Sequence, residues 1–207
     1  MFEDEMKMRI LQIAKQEFMT NGYLGASTRN IAQKAEMTTG ALYNRFVGKD
    51  ELFEEIVGPS AKKLLDLFNF SHQEFMDFDF DVQVAQMFSY TEDKINYMLD
   101  IIYSDIDAFY IISTKASGSK YESYIDNMVK LEVESTLAFI DILKKKGREV
   151  VEIDPTLMHM ICTAMFNLFF EPVRHQMDKD TARRYLADGF KFFNAGWETI
   201  FCTNEKK

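Results

Sequence analysis

Between Thr38 and Lys49 the chain sets out side chains whose polar groups complement a nucleic acid. On a helical wheel Leu42 and Phe46 fall on one side, so Gly40 and Asn44 fall on the other, flanked by Ala41 and Tyr43. An asparagine amide bonds a base edge or a phosphate, glycine lets the backbone come close, and the hydroxyls of Tyr43 and Thr38 donate to phosphate oxygens. Lys49, at the start of the next helix, brings its charge beside unbonded amides, a setting that holds phosphate. Thr28 does the same at the start of an earlier helix. Taken singly, a blander reading is the stronger one: Ser27 and Thr38 cap helices and Lys49 is a solvated charge.

These groups need a scaffold, and the periodicity supplies one. Ile10, Ala14 and Phe18 recur at four-residue steps with Leu11 beside them, which predicts a first helix over about residues 4 to 20, stopped at Asn21-Gly22 by a glycine free to adopt positive φ. Ser27-Thr28 opens a short second helix through Ile31, Ala32 and Ala35, and Glu36-Met37 makes a turn. Thr38 caps a third helix to about Phe46. Gly48-Lys49-Asp50-Glu51 then starts a fourth that carries Leu52, Phe53 and Ile56. Two short helices joined by a tight turn and preceded by a packing helix make a helix-turn-helix, whose second helix fits the major groove of DNA.

As an ordered set, Ser27-Thr28-Arg29-Asn30-Ile31-Ala32-Gln33-Lys34-Ala35, Thr38-Thr39-Gly40-Ala41-Leu42-Tyr43-Asn44-Arg45-Phe46 and Lys49-Asp50-Glu51-Leu52-Phe53 resemble the tetracycline-repressor (TetR) family over roughly residues 8–55. The resemblance implies an all-α protein: a helix-turn-helix DNA-binding domain at 1–50 and a helical effector-binding and dimerisation bundle at 51–207. It further implies a homodimeric transcriptional regulator, usually a repressor, that binds a palindromic double-stranded operator and is released by a small molecule. DNA contact is carried onto Thr28, Thr38, Thr39, Gly40, Tyr43, Asn44 and Lys49. Two positions depart from the pattern. Glu36 stands where many members have glycine in the turn, and Arg45 replaces a frequent histidine or aromatic.

Beyond residue 50, helices are expected at about 50–76, 82–103, 105–114, 120–147, 154–177 and 179–203, with kinks at Pro59 and Pro172. Breaks fall at Asp77-Phe78-Asp79-Phe80-Asp81, Ser117-Gly118-Ser119 and Gly147. This body is rich in aromatic and sulfur side chains, most of them core. An apolar site between helices suits a largely hydrophobic effector, and Phe68, Tyr103, Phe109, Phe139, Met165 and Phe169 are its candidate lining. Leu157, Ile161, Ala164 and Leu168 form one stripe, while Gly189 and Gly196 allow close approach beside Phe193 and Trp197. With the family resemblance, these last two helices become the expected dimer surface rather than intrachain core.

Composition narrows the alternatives. The 207 residues include 19 Phe, 9 Tyr and 13 Met, enough apolar surface to exclude disorder, and only 9 Gly and 3 Pro, which excludes collagen-like and low-complexity classes. Residues 1–50 hold seven basic and six acidic side chains, leaving 17 basic and 27 acidic in the remainder, so a near-neutral head sits on a body that repels polyanions. The longest run without Asp, Glu, Lys or Arg, Pro155 to Phe170, is too short to cross a bilayer. Met1-Phe2-Glu3-Asp4-Glu5 lacks a secretory pattern, and the cytoplasm is the expected location. Cys162 and Cys202 read as buried thiols without metal-ligand spacing. His72, His159 and His175 belong to no His-Glu-x-x-His or paired Glu-x-x-His motif, and no Gly-rich phosphate loop or Gly-x-Ser-x-Gly occurs. Neither an enzyme nor a cofactor is expected. The competing reading is a helical ligand-binding or interaction module with only weak, non-specific DNA binding.

Overall fold

The computed structural model describes residues 2–201, and among these every regular element is a helix. The order is α1 (Phe2–Gly25), α2 (Thr28–Lys34), α3 (Thr39–Tyr43), α4 (Lys49–Met76), α5 (Phe80–Ser104), α6 (Ile106–Lys115), α7 (Tyr124–Lys145), α8 (Pro155–Arg174) and α9 (Lys179–Phe201). Cys202 lies outside the described residues.

The first three helices pack about the side chains that the periodicity picks out. Ile10, Ala14 and Phe18 on α1, Ile31 on α2 and Leu42 just inside α3 are all essentially inaccessible. α1 is bent at Gly22, whose φ of 67° and ψ of 172° lie in a region that only glycine occupies at low cost, and it then runs one more turn to Gly25. The Ser27 hydroxyl accepts from the Asn30 amide at 3.3 Å and the Thr38 hydroxyl from the Ala41 amide at 3.1 Å, so both short helices are capped by side chains. α3 ends at Tyr43 instead of reaching Phe46. A tight turn takes over, in which the Phe46 amide still bonds the Leu42 carbonyl at 3.0 Å, and this swings Phe46 back into the core.

α4 carries the chain across the expected boundary at residue 50. Its acidic first turn, Asp50 and Glu51, meets the positive end of the helix dipole. The helix is assigned without interruption through Pro59, and α8 likewise contains Pro172 two residues before its end, so neither proline breaks its helix. α8 begins with Pro155 behind an Asp154 cap that accepts from the Thr156 amide at 2.7 Å.

One hydrophobic cluster runs from Ile10 in α1 through Leu64 in α4, Phe109 in α6 and Phe170 in α8 to Trp197 in α9. Head and body are thus joined by continuous packing as well as by α4. A polar junction reinforces this: Asp105, at the corner between α5 and α6, accepts from Lys15 of α1 at 3.0 Å and from Ser60 of α4 at 2.8 Å, and Lys15 also reaches Asp107 at 3.1 Å.

Candidate nucleic-acid interface

Leu42 and Phe46 anchor α3, being 1% and 3% exposed, and this turns the opposite side of the helix to solvent. Thr38, Gly40, Tyr43 and Asn44 are exposed there, while Thr39 is half-buried. Thr28, at the first residue of α2, lies beside this surface: its hydroxyl and the Tyr43 phenol are 3.0 Å apart. A cap hydroxyl that accepts an amide proton still carries its own proton, so Thr38 remains able to donate to phosphate.

Lys49 is tied down differently. Its ammonium donates to the Leu24 carbonyl at 3.4 Å and lies 4.5 Å above the Tyr23 ring, so a phosphate must join or replace these partners. Tyr23 in turn donates its hydroxyl to Asp50, and that bond together with burial pushes the phenol up to about 12. The end of α1 and the start of α4 are therefore held together at the place where Lys49 emerges.

Glu36 has φ of 58°, so the turn needs the left-handed conformation that glycine adopts more cheaply, and a glutamate supplies it here. Its carboxylate reaches Arg9 of α1 at 3.2 Å. Arg45 points an Nη1 toward Glu3 at 3.7 Å and is partly exposed. Arg29 on α2 is also exposed and adds a basic side chain near Thr28 that outward-face reasoning on α3 did not pick out.

Sequence reasoning also missed Glu17, a carboxylate that is 1% exposed. It accepts from Asn21 Nδ2 at 2.9 Å, Lys34 Nζ at 3.0 Å, the Ser27 amide at 3.4 Å and Asn30 Nδ2 at 3.5 Å. Burial alone raises a carboxyl group's pKa, but these bonds and the Lys34 charge prevail and hold it below 4.5. Glu17 thereby ties the loop before α2, and α2 itself, onto α1. Its one legible signal is its place next to Phe18 and three residues after Ala14, on the inward side of α1.

In the body, a cavity of about 180 Å³ opens among α4, α5, α7, α8 and α9. Phe68, Phe139, Met165 and Phe169 line it. Tyr103 and Phe109, expected with them, do not: Tyr103 donates to the Met177 carbonyl at 2.9 Å, and Phe109 is fully enclosed in the core. Nine aromatic rings form the wall, with His72, Lys94, Glu132 and Asn194 as its most polar members. Those four side chains and a few hydroxyls break an otherwise apolar surface, as small-molecule sites commonly require.

Where α8 meets α9, Gly189 lets the Leu168 side chain approach within the same chain: a Cβ there would stand 2.5 Å from Leu168 Cδ2. Trp197 is buried and faces the cavity. These two members of the expected dimer surface are therefore intrachain. Leu157 and Ala164 remain exposed, and Met160, Tyr185 and Phe192 add further exposed apolar area on the same two helices.

A three-helix head with an outward polar third helix, mounted on a helical body that holds an aromatic cavity, is a helix-turn-helix architecture. Residues 10–56 match the family described as bacterial regulatory proteins, tetR family. A stretch of 58 residues is 38% identical to the HTH-type transcriptional regulator QacR of Staphylococcus aureus, and covers 28% of this chain and 31% of that protein's length. The fold is shared over nearly the whole chain with solved structures. A transcriptional regulator of the TerR/AcrR family from Aquifex aeolicus VF5 is 20% identical with a TM-score of 0.57, covering 91% of this chain and 99% of that one. The TetR-family regulator PfmR from Thermus thermophilus is 18% identical with a TM-score of 0.55, covering 86% and 95%. The amino-terminal head thus matches the tetR-family model, and the fold of nearly the whole chain is that of solved regulators described as members of that family.

Proposed function

We propose that the chain is a repressor that binds a palindromic operator as a homodimer, places α3 of each head in the major groove, and lets go when a small, largely hydrophobic effector enters the body. The observation that carries the DNA-binding part is the solvent-facing array of Thr38, Gly40, Tyr43 and Asn44, with Thr28 hydrogen-bonded to it and Leu42 and Phe46 locked inside. Asn44 is the base reader in this scheme, while Thr28, Thr38, Thr39, Tyr43 and Lys49 hold phosphates and Gly40 admits the backbone.

The cavity supports the effector site, with Phe68, Phe139, Met165 and Phe169 as its apolar contacts. α4 links the two functions physically. It starts at Lys49 beside the recognition turn and lines the cavity with Phe68, Ser71, His72 and Phe75, a reach of about 40 Å along 28 residues. Occupancy that shifts α4 changes the spacing of two heads in a dimer. By linkage, an effector that weakens operator binding 100-fold binds the operator-bound form about 2.7 kcal/mol more weakly.

Footprinting on an inverted repeat upstream of the coding region, in the presence of excess unrelated DNA, tests the reading. Protection that survives competitor supports a sequence-specific regulator. Protection that competitor abolishes favours the module with weak, non-specific DNA binding instead.

A further inference from the structure

We propose that the cavity takes an amphipathic amine, whose protonated nitrogen is held by Glu132 within the aromatic wall, and that its entry expels a proton from His72. This deepens the reading of the cavity as the effector site and rests on it.

The argument begins with one imidazole. His72 Nδ1 lies 2.9 Å from the Phe68 carbonyl oxygen, which only accepts, so Nδ1 carries a proton. Nε2 lies 3.0 Å from Glu132 Oε2. One proton must therefore sit between the two side chains, either on Nε2 facing a carboxylate or on Glu132 facing a bare nitrogen. Burial lowers the imidazole's affinity for that proton, but the hydrogen bond to Glu132 and its charge outweigh this and leave the pKa above 6.5. Below that pKa the pair is imidazolium and carboxylate.

Glu132 has acceptor capacity left. Its Oε1 meets the Thr136 hydroxyl at 3.5 Å, the outer limit of a hydrogen bond. The Phe68 ring centroid is 4.3 Å from the imidazole and 5.7 Å from the Phe166 ring, and both rings line the same cavity as Glu132. A few residues away the protein already holds an ammonium this way. Lys94 bonds Glu74 at 2.8 Å, with its Nζ 4.8 Å from the Tyr90 ring centroid and 5.7 Å from that of Phe70. Glu132, in a cavity wall shared with Phe68 and Phe166, offers a ligand ammonium the same carboxylate-and-ring chemistry.

The neighbouring groups allow this exchange. On α5, Lys94 is neutralised by Glu74, which also accepts from the Tyr90 hydroxyl at 2.6 Å. On α8, the Cys162 thiol is pushed up to about 12 by burial and the Glu132 charge, so it stays neutral. α9 contributes the amide of Asn194. When an ammonium takes Glu132, His72 keeps its Nδ1 proton on Phe68, loses its Nε2 proton to solvent, and the site remains neutral. A carboxylate ligand would stand against Glu132 and require proton uptake.

The test uses the unmodified protein and three matched probes: 4-phenylbutylamine, 4-phenylbutanol and 4-phenylbutyrate. Trp197, the one tryptophan, lies in the cavity wall and reports binding by its emission. Calorimetry in two buffers of different ionisation enthalpy counts protons. The amine is expected to bind about tenfold more tightly than the alcohol and to release a proton when the titration is run below pH 6.5, on the acid side of the imidazole's raised pKa. Glu132→Gln should bring the amine's affinity down to that of the alcohol and abolish the proton release. Equal affinity for amine and alcohol, preference for the carboxylate, or proton uptake with the amine overturns the amine assignment while leaving the chamber as a ligand site. Failure of all three probes to perturb Trp197 overturns both readings. The comparison of probes on the unmodified protein decides the matter even if the variant does not fold.

Discussion

In the proposed operator complex Asn44 and Lys49 make two kinds of contact, a base edge and a phosphate, and should respond differently to removal. Asn44→Ala is expected to cost about 1–3 kcal/mol at one operator position and to relax preference there, read by competition with single-base operator variants. Unchanged preference would remove Asn44 from base reading. Lys49→Ala should weaken all sequences alike and lower the salt slope by about 1, because it deletes one phosphate contact. Glu17 acts through folding. Its folded-state pKa is lowered below 4.5, so its contribution is present above 4.5 and is lost as the pH falls through the lower folded value. Glu17→Ala should cost about 1–3 kcal/mol by leaving the Ser27 amide and Asn21 without their acceptor, and should flatten the acid limb of thermal denaturation. The exposed array on α3 was legible because two inward residues four apart define the outward ones. Glu17 was not, because a glutamate beside Phe18 looks like any edge residue until its four donors converge from α1, α2 and the loop between them.

At the scale of elements, α4 is the part to probe. His72 joins it to α7 through Glu132, with a folded-state pKa raised above 6.5, so that contact's stabilisation is present below 6.5 and is lost as the pH rises through the folded value. Amide exchange in the facing turns of α4 and α7 should therefore quicken on the alkaline side of that transition, beyond the intrinsic base-catalysed rate, and His72→Asn should remove the transition. The helix pattern itself was largely readable: α4 to α9 begin and end close to the expected residues, at the polar and glycine-bearing breaks. α3 was drawn too long because Leu42 and Phe46, four apart, fit a helix and also fit the turn that retains the Phe46–Leu42 bond. Tyr103 and Phe109 were drawn into the ligand lining because periodicity says that a side chain points inward and not whether the space it meets is already filled. Pro59 and Pro172 do not interrupt their helices: each removes one amide, and the surrounding packing decides how far the helix yields.

For the whole molecule, pairing and communication are the properties that matter. Phe192 is 77% exposed on α9, and in a dimer built on α8 and α9 its replacement by glutamate should shift sedimentation toward the monomer while the fold persists. A dimer unaffected by Phe192→Glu would place the contact elsewhere. The junction at Asp105 bears on how the two ends of the chain speak to each other. One carboxylate grips α1 through Lys15 and α4 through Ser60 from the corner between α5 and α6. A push on that corner therefore steers both supports of the head at once, as a tiller turns a rudder, instead of prying them apart. Asp105→Asn keeps an oxygen for one of the two grips and discards the charge that binds Lys15. Operator and probe should each still bind it, yet neither should feel the other as strongly, and their mutual effect measured in one titration is where the slackened steering would appear.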